Sequence, residues 1–300
     1  MSVERFQGCL LGLALADALG AAHEGGVLER MLWRVIGTTR SGLTRWTDDT
    51  QMSLDVAESL IAHRSLDLQD LASRFAGSYR WSRGYGPGTS RVLRRIARGI
   101  DWRHANRSVH GAGSLGNGGA MRAPVVGLFY SRRPNDLAAA ARLSASVTHA
   151  HPLAMEGAAL VATGTGCALL GHPPLEILER AAAVCELEPF RARLGTARAW
   201  LASRDDPTPT EVARRLGHGV AASESCVTAV YLGLRFLDRA FLELHQFVAA
   251  CRGDVDTIGA MAGAIWGAAN GIAPLPGAEL DRLEQRERLM SVATALHAST

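Results

Sequence analysis

The chain has 300 residues, of which 47% are hydrophobic and 20% are charged. This composition allows a substantial buried core, in one large domain or two small ones. The formal net charge of +3 is small, so the charge balance alone gives no reason to expect a nucleic-acid partner. Because Ala, Leu, Arg and Gly are frequent and β-branched runs are few, we expect mostly helices.

Five cysteines are scattered along the sequence: Cys9, Cys167, Cys185, Cys226 and Cys251. None forms a C-x-x-C pair or lies near a histidine at zinc-ligand spacing, which argues against a zinc site. Reduced, mostly buried thiols in a cytoplasmic protein fit this pattern best. We also expect no membrane-spanning segment, because no run reaches the roughly 18 apolar residues that a span requires.

Residues 5–22 are predicted to form the first helix. Small residues recur every four positions on one face: Gly8, Gly12, Ala16 and Gly20. Such a stripe lets another helix approach closely. Asp17 lies beside the stripe, and a carboxylate in an apolar segment is costly unless it is paired or bound to a metal. The apolar run 9–16 is similar to a signal peptide, but it is short and Asp17 interrupts it, so we favour a buried helix.

Four consecutive residues, 47–50, carry side-chain oxygens immediately before a run with helical periodicity. Asp48 and Asp49 would therefore lie at a helix N-terminus, which favours negative charge. Hard oxygen ligands on one turn suit Mg²⁺ or Mn²⁺. A helix cap is the alternative, because Asp48 with Gln51 resembles a capping box and Thr47 could also act as the cap.

A helix is predicted over residues 66–81, followed by a turn-rich loop over residues 83–89. Four arginines then share one helix face: Arg91, Arg94, Arg95 and Arg98. A solvated basic face is one interpretation, and attraction of a polyanionic substrate is the other.

Residues 111–123 are rich in glycine and lead into a helix. Backbone N–H groups in such a loop can converge on a phosphate, although a flexible surface loop has a similar composition. The spacing fits neither a Rossmann nor a P-loop motif. His149 and His151 follow at a spacing that does not suit helical zinc ligands, and a lone histidine is more often packed than catalytic.

The C-terminal third repeats both features of the N-terminal third. Asp254 and Asp256, followed by Thr257, form a second acidic cluster at the start of a helix, and small residues again recur every four positions at Gly259, Gly263, Gly267 and Gly271. Two acidic clusters about 200 residues apart favour a shared metal centre. We expect the two stripes to pack close together near that centre.

The segment 205–209 is predicted to be a surface loop within a single domain, residues 1–300. No strand alternation is present, so the fold should be all-α.

Taken together, these segments resemble the ADP-ribosylglycohydrolase family. The matching stretches are residues 12–20 with Glu24, 46–52, 113–122, 148–149, 222–225 and 253–257. They are spread over nearly the whole chain, in the family's order. The resemblance implies a compact all-α orthogonal multi-helix bundle with a binuclear Mg²⁺ or Mn²⁺ site in a central cleft.

The resemblance also implies roles for individual residues. The metal ligands would be Thr47, Asp48, Asp49, Asp254, Asp256 and Thr257. The catalytic residues would be Glu24, Asp48 and Asp256. Substrate would contact Ser114, Gly116, Asn117, Gly118, Gly119, Met121 and His149. A surface position is the alternative for Glu24.

Two branches of the family differ in acceptor. The runs 114–122, 142–149 and 260–264 look more like the branch that acts on O-linked ADP-ribose, including serine-linked ADP-ribose and poly(ADP-ribose). An arginine-linked acceptor and a silent ADP-ribose-binding member are the alternatives. The family often has glycine where this chain has Ala16 and Arg252. The O-linked branch has an aromatic residue near the positions of Val109 and His110, which leaves adenine stacking open.

The expected reaction is metal-assisted glycosidic hydrolysis with Glu24 as general acid/base. The expected partner is an ADP-ribosylated protein or a small ADP-ribose conjugate, with no direct nucleic-acid contact, and the chain is expected to be a monomer. Isoprenoid synthesis, another all-α Mg²⁺ chemistry, requires a carboxylate spacing that residues 48–52 lack.

Overall fold

The structure is a computed structural model that describes residues 2–23, 33, 35–203 and 205–300. Within this part of the chain the regular elements are α-helices and two short 3₁₀-helices, Trp81–Arg83 and Asn117–Gly119, with isolated β-bridges and no β-strand. The first eight helices are α1 (Val3–Gly20), α2 (Asp48–His63), α3 (Leu68–Ser78), α4 (Pro87–Ile96), α5 (Trp102–Val109), α6 (Ala123–Tyr130), α7 (Pro134–Ser146) and α8 (Pro152–Leu170). The next eight are α9 (Pro174–Ala182), α10 (Glu188–Ser203), α11 (Pro209–Leu216), α12 (Ala222–Arg235), α13 (Phe241–Cys251), α14 (Val255–Asn270), α15 (Gly277–Asp281) and α16 (Arg286–His297). The all-α prediction is confirmed.

Local sequence signals explain where many helices begin. Asp67 accepts hydrogen bonds from the first turn of α3, and Thr208 forms a capping box with Glu211 at α11. Proline lies in the first turn of α4, α6, α7, α8, α9 and α11, where its missing N–H group costs nothing. These signals fix short helices whose stability then comes from packing.

Helices α1 and α14 form the most extensive helix pair, and their small-residue stripes face each other. A Cβ atom added to Gly263 would lie 2.5 Å from the carbonyl oxygen of Gly12, and one added to Gly20 would lie 2.5 Å from Cα of Asp256. Only glycine permits this approach, so the predicted contact between the stripes is confirmed. It joins the two ends of the chain beside the acidic clusters.

Helix α8 lies at the centre of the bundle and contacts α6, α7, α9, α12 and α14. Among the described residues, α8 is long and apolar enough to cross a membrane by length and composition, so the expectation that no segment meets this criterion was wrong. However, 72% of that stretch is buried within the protein. A helix surrounded by other helices is apolar all round because it has no solvent-facing side.

Four of the five cysteines are buried and all five are free, as predicted. The loop over residues 83–89 is shorter than expected, because α4 already begins at Pro87.

Candidate active site

A cavity of about 230 Å³ opens between the N-termini of α2 and α14, the loop that leads into α4, and the glycine-rich segment before α6. Its acidic side is lined by Asp48, Asp49, Asp254, Asp256 and Thr257. Its other sides are lined by Gly84, Gly86, Pro87, Gly88, Thr89, His110, Ser114, Gly116, Asn117, Gly118, Met121, His149 and Val220. The cavity therefore combines carboxylates with small, backbone-exposing residues.

Three buried carboxylates from three different helices converge beside this cavity. One oxygen each of Asp17, Asp49 and Asp256 lie within 4.8 Å of one another. With Asp254 these residues form what we term the acidic floor. Carboxylate and hydroxyl oxygens are the donors that Mg²⁺ and Mn²⁺ prefer, and like charges this close are costly without a cation. The donor set thus fits a divalent cation.

Asp17 is fully buried and accepts hydrogen bonds from the N-terminus of α2. Its carboxylate accepts from the backbone N–H groups of Thr47 (3.0 Å) and Thr50 (3.1 Å) and from the Thr50 hydroxyl. Burial raises the pKa of Asp17 to about 6, and these hydrogen bonds act in the opposite direction. Asp17 fixes the turn that presents Asp48 and Asp49 to the cavity.

Thr47 is the N-cap of α2, and its hydroxyl accepts a hydrogen bond from the N–H group of Asp49 (3.3 Å). This is the capping role that the sequence left open. A hydroxyl oxygen has two lone pairs, so a cap can still bind a cation with the second. Thr47 is buried and does not line the cavity.

A buried ion pair holds the segment before α2. Arg83 pairs with Glu284 and also donates to the carbonyl oxygen of Trp46 (2.7 Å). Glu284 accepts from the backbone N–H of Trp46 (3.0 Å), and the Arg83 guanidinium lies 3.6 Å from the Trp46 ring centre. The start of α2 is therefore anchored to residues more than 30 and more than 230 positions away.

The acidic floor is also connected to the glycine-rich segment. Asn117 donates from its amide to a carboxylate oxygen of Asp254 and to the hydroxyl of Ser225 (3.0 Å). Thr257 donates from its backbone N–H to Asp256 (2.8 Å), and its hydroxyl lies 3.5 Å from Oδ1 of Asp49. These contacts orient the carboxylates of α2 and α14 relative to one another.

Residues 113–121 form the opposite side of the cavity, which we term the glycine wall. Its backbone is joined to the start of α12, because Asn117 donates to the carbonyl of Val220 (2.9 Å) and Ala222 donates to that of Leu115 (3.0 Å). A Cβ on Gly118 would lie 2.8 Å from Nε2 of His149, so glycine is needed for the ring to approach. A Cβ on Gly119 would meet the Cβ of Ala145 at 2.7 Å. Gly119 therefore has a packing role and does not line the cavity.

His149 is held by a buried arginine through a threonine. Arg122 donates to the Thr148 hydroxyl (2.9 Å), which lies 2.8 Å from Nδ1 of His149, and it also donates to the carbonyl of Gly118. The positive charge of Arg122 turns the hydroxyl proton towards Nδ1, which leaves the hydrogen on Nε2. Burial, together with Arg122 and His110, lowers the pKa of His149 to about 3. The ring is thus neutral and presents a donor to the cavity.

The structure brings together most of the residues that the sequence singled out. All the predicted metal and substrate residues line the cavity except Thr47 and Gly119. Glu24 lies outside the described residues. Of the two residues where the O-linked branch has an aromatic, His110 lines the cavity and Val109 lines a different groove. Adenine stacking at this position stays a prediction about the imidazole of His110.

Sequence reasoning missed several parts of the site. It did not predict that Asp17 would hold the start of α2. It also did not predict that the loop over residues 84–89 and Val220 would line the cavity. The glycines of that loop were a usable signal, since they allow close approach of a ligand to the backbone. Val220 carried no signal of its own.

Comparison with known proteins agrees with this geometry. The ADP-ribosylglycohydrolase family profile matches residues 2–300. The chain is 34% identical to mouse ADP-ribosylhydrolase ARH3, over 99% of this chain and 92% of that protein, and 33% identical to the human protein, over 99% and 93%. It is 26% identical to the ADP-ribosyl-[dinitrogen reductase] glycohydrolase of Rhodospirillum rubrum, over 94% and 91%.

Among solved structures, an ADP-ribosylglycohydrolase-related protein complex superposes with a TM-score of 0.73 at 30% identity and covers 99% of this chain and 98% of that one. The family match identifies the all-α bundle as a glycohydrolase, and the carboxylate cluster facing its glycine-lined cavity is compatible with a metal ion. The chain belongs to the ADP-ribosylglycohydrolase family and is an enzyme that hydrolyses glycosidic bonds of ADP-ribose.

Proposed function

We propose that this enzyme releases ADP-ribose from an O-linked acceptor, with serine-linked ADP-ribose as the main substrate and poly(ADP-ribose) or O-acetyl-ADP-ribose as further candidates. The observation that carries the proposal is the convergence of Asp49 and Asp256 on the same cavity as the glycine wall. One side suits the sugar and the cation, and the other suits the diphosphate.

The proposed cofactor is a pair of Mg²⁺ or Mn²⁺ ions held by Thr47, Asp48, Asp49, Asp254, Asp256 and Thr257. When bound, such ions supply positive charge that orients the ribose hydroxyls and stabilises charge developing near the anomeric carbon. Asp17 would contribute by holding the α2 turn, through its hydrogen bonds to Thr47 and Thr50.

Three carboxylates are proposed to take part directly in the reaction. Glu24 is proposed as the general acid/base that protonates the leaving oxygen or activates the attacking water. Asp48 and Asp256 are proposed to orient the ribose and the water from opposite helices. Both line the cavity, which supports this assignment.

The glycine wall is proposed to hold the diphosphate. Gly116 and Gly118 carry no side chain to block the cavity, and Ser114 and Asn117 add polar groups beside them. His149, neutral and with its hydrogen on Nε2, would donate to a phosphate or ribose oxygen. Met121 would pack against the nucleotide.

The acceptor class is the finer part of the proposal. The runs 114–122 and 142–149 look more like the branch of the family that acts on O-linked ADP-ribose. Identity to ADP-ribosylhydrolase ARH3 is also higher than identity to the Rhodospirillum rubrum glycohydrolase. Both observations favour oxygen over nitrogen as the atom that leaves the anomeric carbon.

We further propose that residues 1–300 act as one monomeric catalytic domain in the cytoplasm, without direct contact to nucleic acid or membrane. Free cysteines and a small net charge support this setting.

The test compares two peptides of one sequence, one carrying serine-linked and the other arginine-linked ADP-ribose. Release of free ADP-ribose is measured for each with Mg²⁺, with Mn²⁺ and with a chelator. Metal-dependent release from the serine peptide alone is expected. Release from the arginine peptide alone would overturn the acceptor, and release from neither would leave a silent ADP-ribose-binding protein as the function to test by direct binding.

A further inference from the structure

A second polar surface adjoins the cavity. It is a groove of about 330 Å³ between α4 and α5, lined by Arg91, Arg94, Arg95, Arg98, Ser108 and Val109. We term it the arginine groove. All four arginines are exposed and lie on one face of α4 or directly after it.

The arginine groove and the cavity are bordered by the same two segments, α4 and the end of α5. The first turn of α4, residues 87–89, lines the cavity, and the arginines that follow line the groove. On the second wall Val109 lines the groove and the next residue, His110, lines the cavity. A Cβ on Gly88 would lie 2.6 Å from Nε2 of His110, so the two walls meet at the rim between the two sites.

Distances along α4 are suited to one continuous ligand. With a rise of about 1.5 Å per residue, Arg91 lies about 3 Å and Arg95 about 9 Å beyond Thr89, the last cavity-lining residue of the helix. A ligand that leaves the cavity past His110 would therefore meet the first guanidinium at once and the others in sequence.

In the described part of the chain, the charges in the groove are not neutralised by acidic side chains. Among the described residues none of the four guanidiniums forms an ion pair, and the nearby Asp101 already pairs with Arg103 and lies close to His104. Arg94 donates to the carbonyl of Ser90 (3.1 Å), which positions its side chain without neutralising it. Like charges three and four residues apart repel, and a polyanion would relieve that repulsion.

We infer that the arginine groove binds the diphosphate of a second ADP-ribose unit, joined to the unit in the cavity. This rests on the proposed function, because it assigns the cavity to ADP-ribose. The inferred ligand is a chain of ADP-ribose units, since each unit adds two phosphates and the groove continues from the cavity. The groove should therefore make the enzyme bind such chains more tightly than it binds a single ADP-ribose unit on serine.

The test is a triple variant, Arg91→Gln with Arg95→Gln and Arg98→Gln. Its matched control is Arg40→Gln with Arg132→Gln and Arg214→Gln, three exposed arginines that do not line the groove. Circular dichroism melts check that both proteins fold. Two ligands are compared, a peptide with one serine-linked ADP-ribose and the same peptide with a chain of several units.

The triple variant should bind the chain of ADP-ribose units at least about fivefold more weakly. The slope of log affinity against log salt concentration should also become shallower by about 2, because each lost phosphate contact changes that slope by roughly 0.7–0.9. Turnover of the single-unit peptide should stay within about twofold of wild type, as one unit does not reach the groove. The control variant should behave as wild type does with both ligands.

Equal loss for both peptides, or no loss for either, would overturn the inference. It would also fail if single-stranded DNA with the same number of phosphates displaced the chain equally well, because the groove would then be a general polyanion site. If the wild-type enzyme released nothing from the single-unit peptide, the proposed function would fail, while the binding comparison would still decide the groove.

Discussion

The two sides of the active cavity are built in different ways. The acidic floor comes from the ends of α1, α2 and α14. Helices α1 and α14 pack so closely that glycine is required where they touch, and α2 is held by the hydrogen bonds of Asp17. The glycine wall is a loop with one short 3₁₀-helix, Asn117–Gly119. Two backbone hydrogen bonds join it to the chain around the start of α12, and Arg122 and Thr148 join it to His149.

This difference separates two demands on the site. Carboxylates that share a cation must be held rigidly, because their mutual repulsion would otherwise push them apart. A wall that accepts a diphosphate needs exposed N–H groups and little side-chain volume. We therefore expect substitutions in the floor to affect stability and metal affinity, and substitutions in the wall to affect substrate binding.

The largest expected effect comes from separating α1 and α14. In Gly263→Ala the new Cβ would press on the carbonyl of Gly12, and unfolding free energy should fall by about 3 kcal/mol or more. Gly195→Ala is the matched control, because nothing lies within 4 Å of its Cβ. It should raise stability by about 0.5–1 kcal/mol, the helical cost of glycine. Urea denaturation measures the unfolding free energy of both variants. Equal changes in Gly263→Ala and Gly195→Ala would contradict the close contact between α1 and α14.

The next largest effect is expected from Asp17, which positions the first turn of α2 and its proposed metal ligands. In Asp17→Asn an NH₂ group would replace one carboxylate oxygen. This donor would face the backbone N–H donors of Thr47 or Thr50, so a hydrogen bond would be lost. Mn²⁺ affinity should fall about 10–100-fold, as is typical for groups that hold metal ligands in place. Asp55→Asn is the control, since Asp55 is also buried in α2 but lines no part of the cavity. Calorimetric titration should find near-normal Mn²⁺ binding in the control; a normal affinity in Asp17→Asn would remove its positioning role.

A smaller effect is expected on the glycine wall. Thr148→Val removes the hydroxyl between Arg122 and His149 and frees the imidazole to change tautomer. We expect KM to rise about fivefold, corresponding to about 1 kcal/mol for one hydrogen bond, with kcat and metal affinity little changed. Thr148→Ser restores the hydroxyl and should restore KM. If the serine variant is as impaired as the valine variant, the hydroxyl is not the cause.

The smallest effect concerns a backbone position rather than a side chain. Arg252 has φ 60° and ψ −165°, a region that favours glycine, and it lies at the C-cap of α13, two residues before Asp254. Arg252→Gly should raise the unfolding free energy by about 1 kcal/mol by removing the strain. Thermal denaturation would show this as a higher Tm, and an unchanged or lower Tm would mean that the Arg252 side chain compensates for its backbone.

The parts of the fold that the sequence predicted depend on short-range patterns. The stripe at Gly8 and Gly12 and the one at Gly263 and Gly267 have a four-residue period, and each indicates a helix face that admits another helix. The acidic clusters at Asp48 and Asp254 mark helix starts for the same local reason. The pairing of the two stripes, and of the two acidic clusters, followed from the inference that similar features at two places in the chain form one site.

The missed parts depend on contacts between distant residues. Nothing near Arg83 indicates that it pairs with Glu284, 201 positions away, or that this pair would hold Trp46. Asp17 was identified as costly to bury, but the sequence could not say that its partners would be backbone N–H groups of another helix. The apolar composition of α8 shows the same limit, since burial among helices and insertion into a membrane require similar residues.

We propose that carboxylates from distant parts of the chain form one metal centre on which hydrolysis depends. The direct test is titration calorimetry of Mn²⁺ into the wild-type protein and Asp256→Asn, with ADP-ribose release from the serine-linked peptide measured at each metal concentration. We predict that wild-type activity rises with metal occupancy and that Asp256→Asn loses both binding and release while keeping its fold. Normal Mn²⁺ binding by Asp256→Asn, or full wild-type activity in a chelator, would contradict the proposed metal centre.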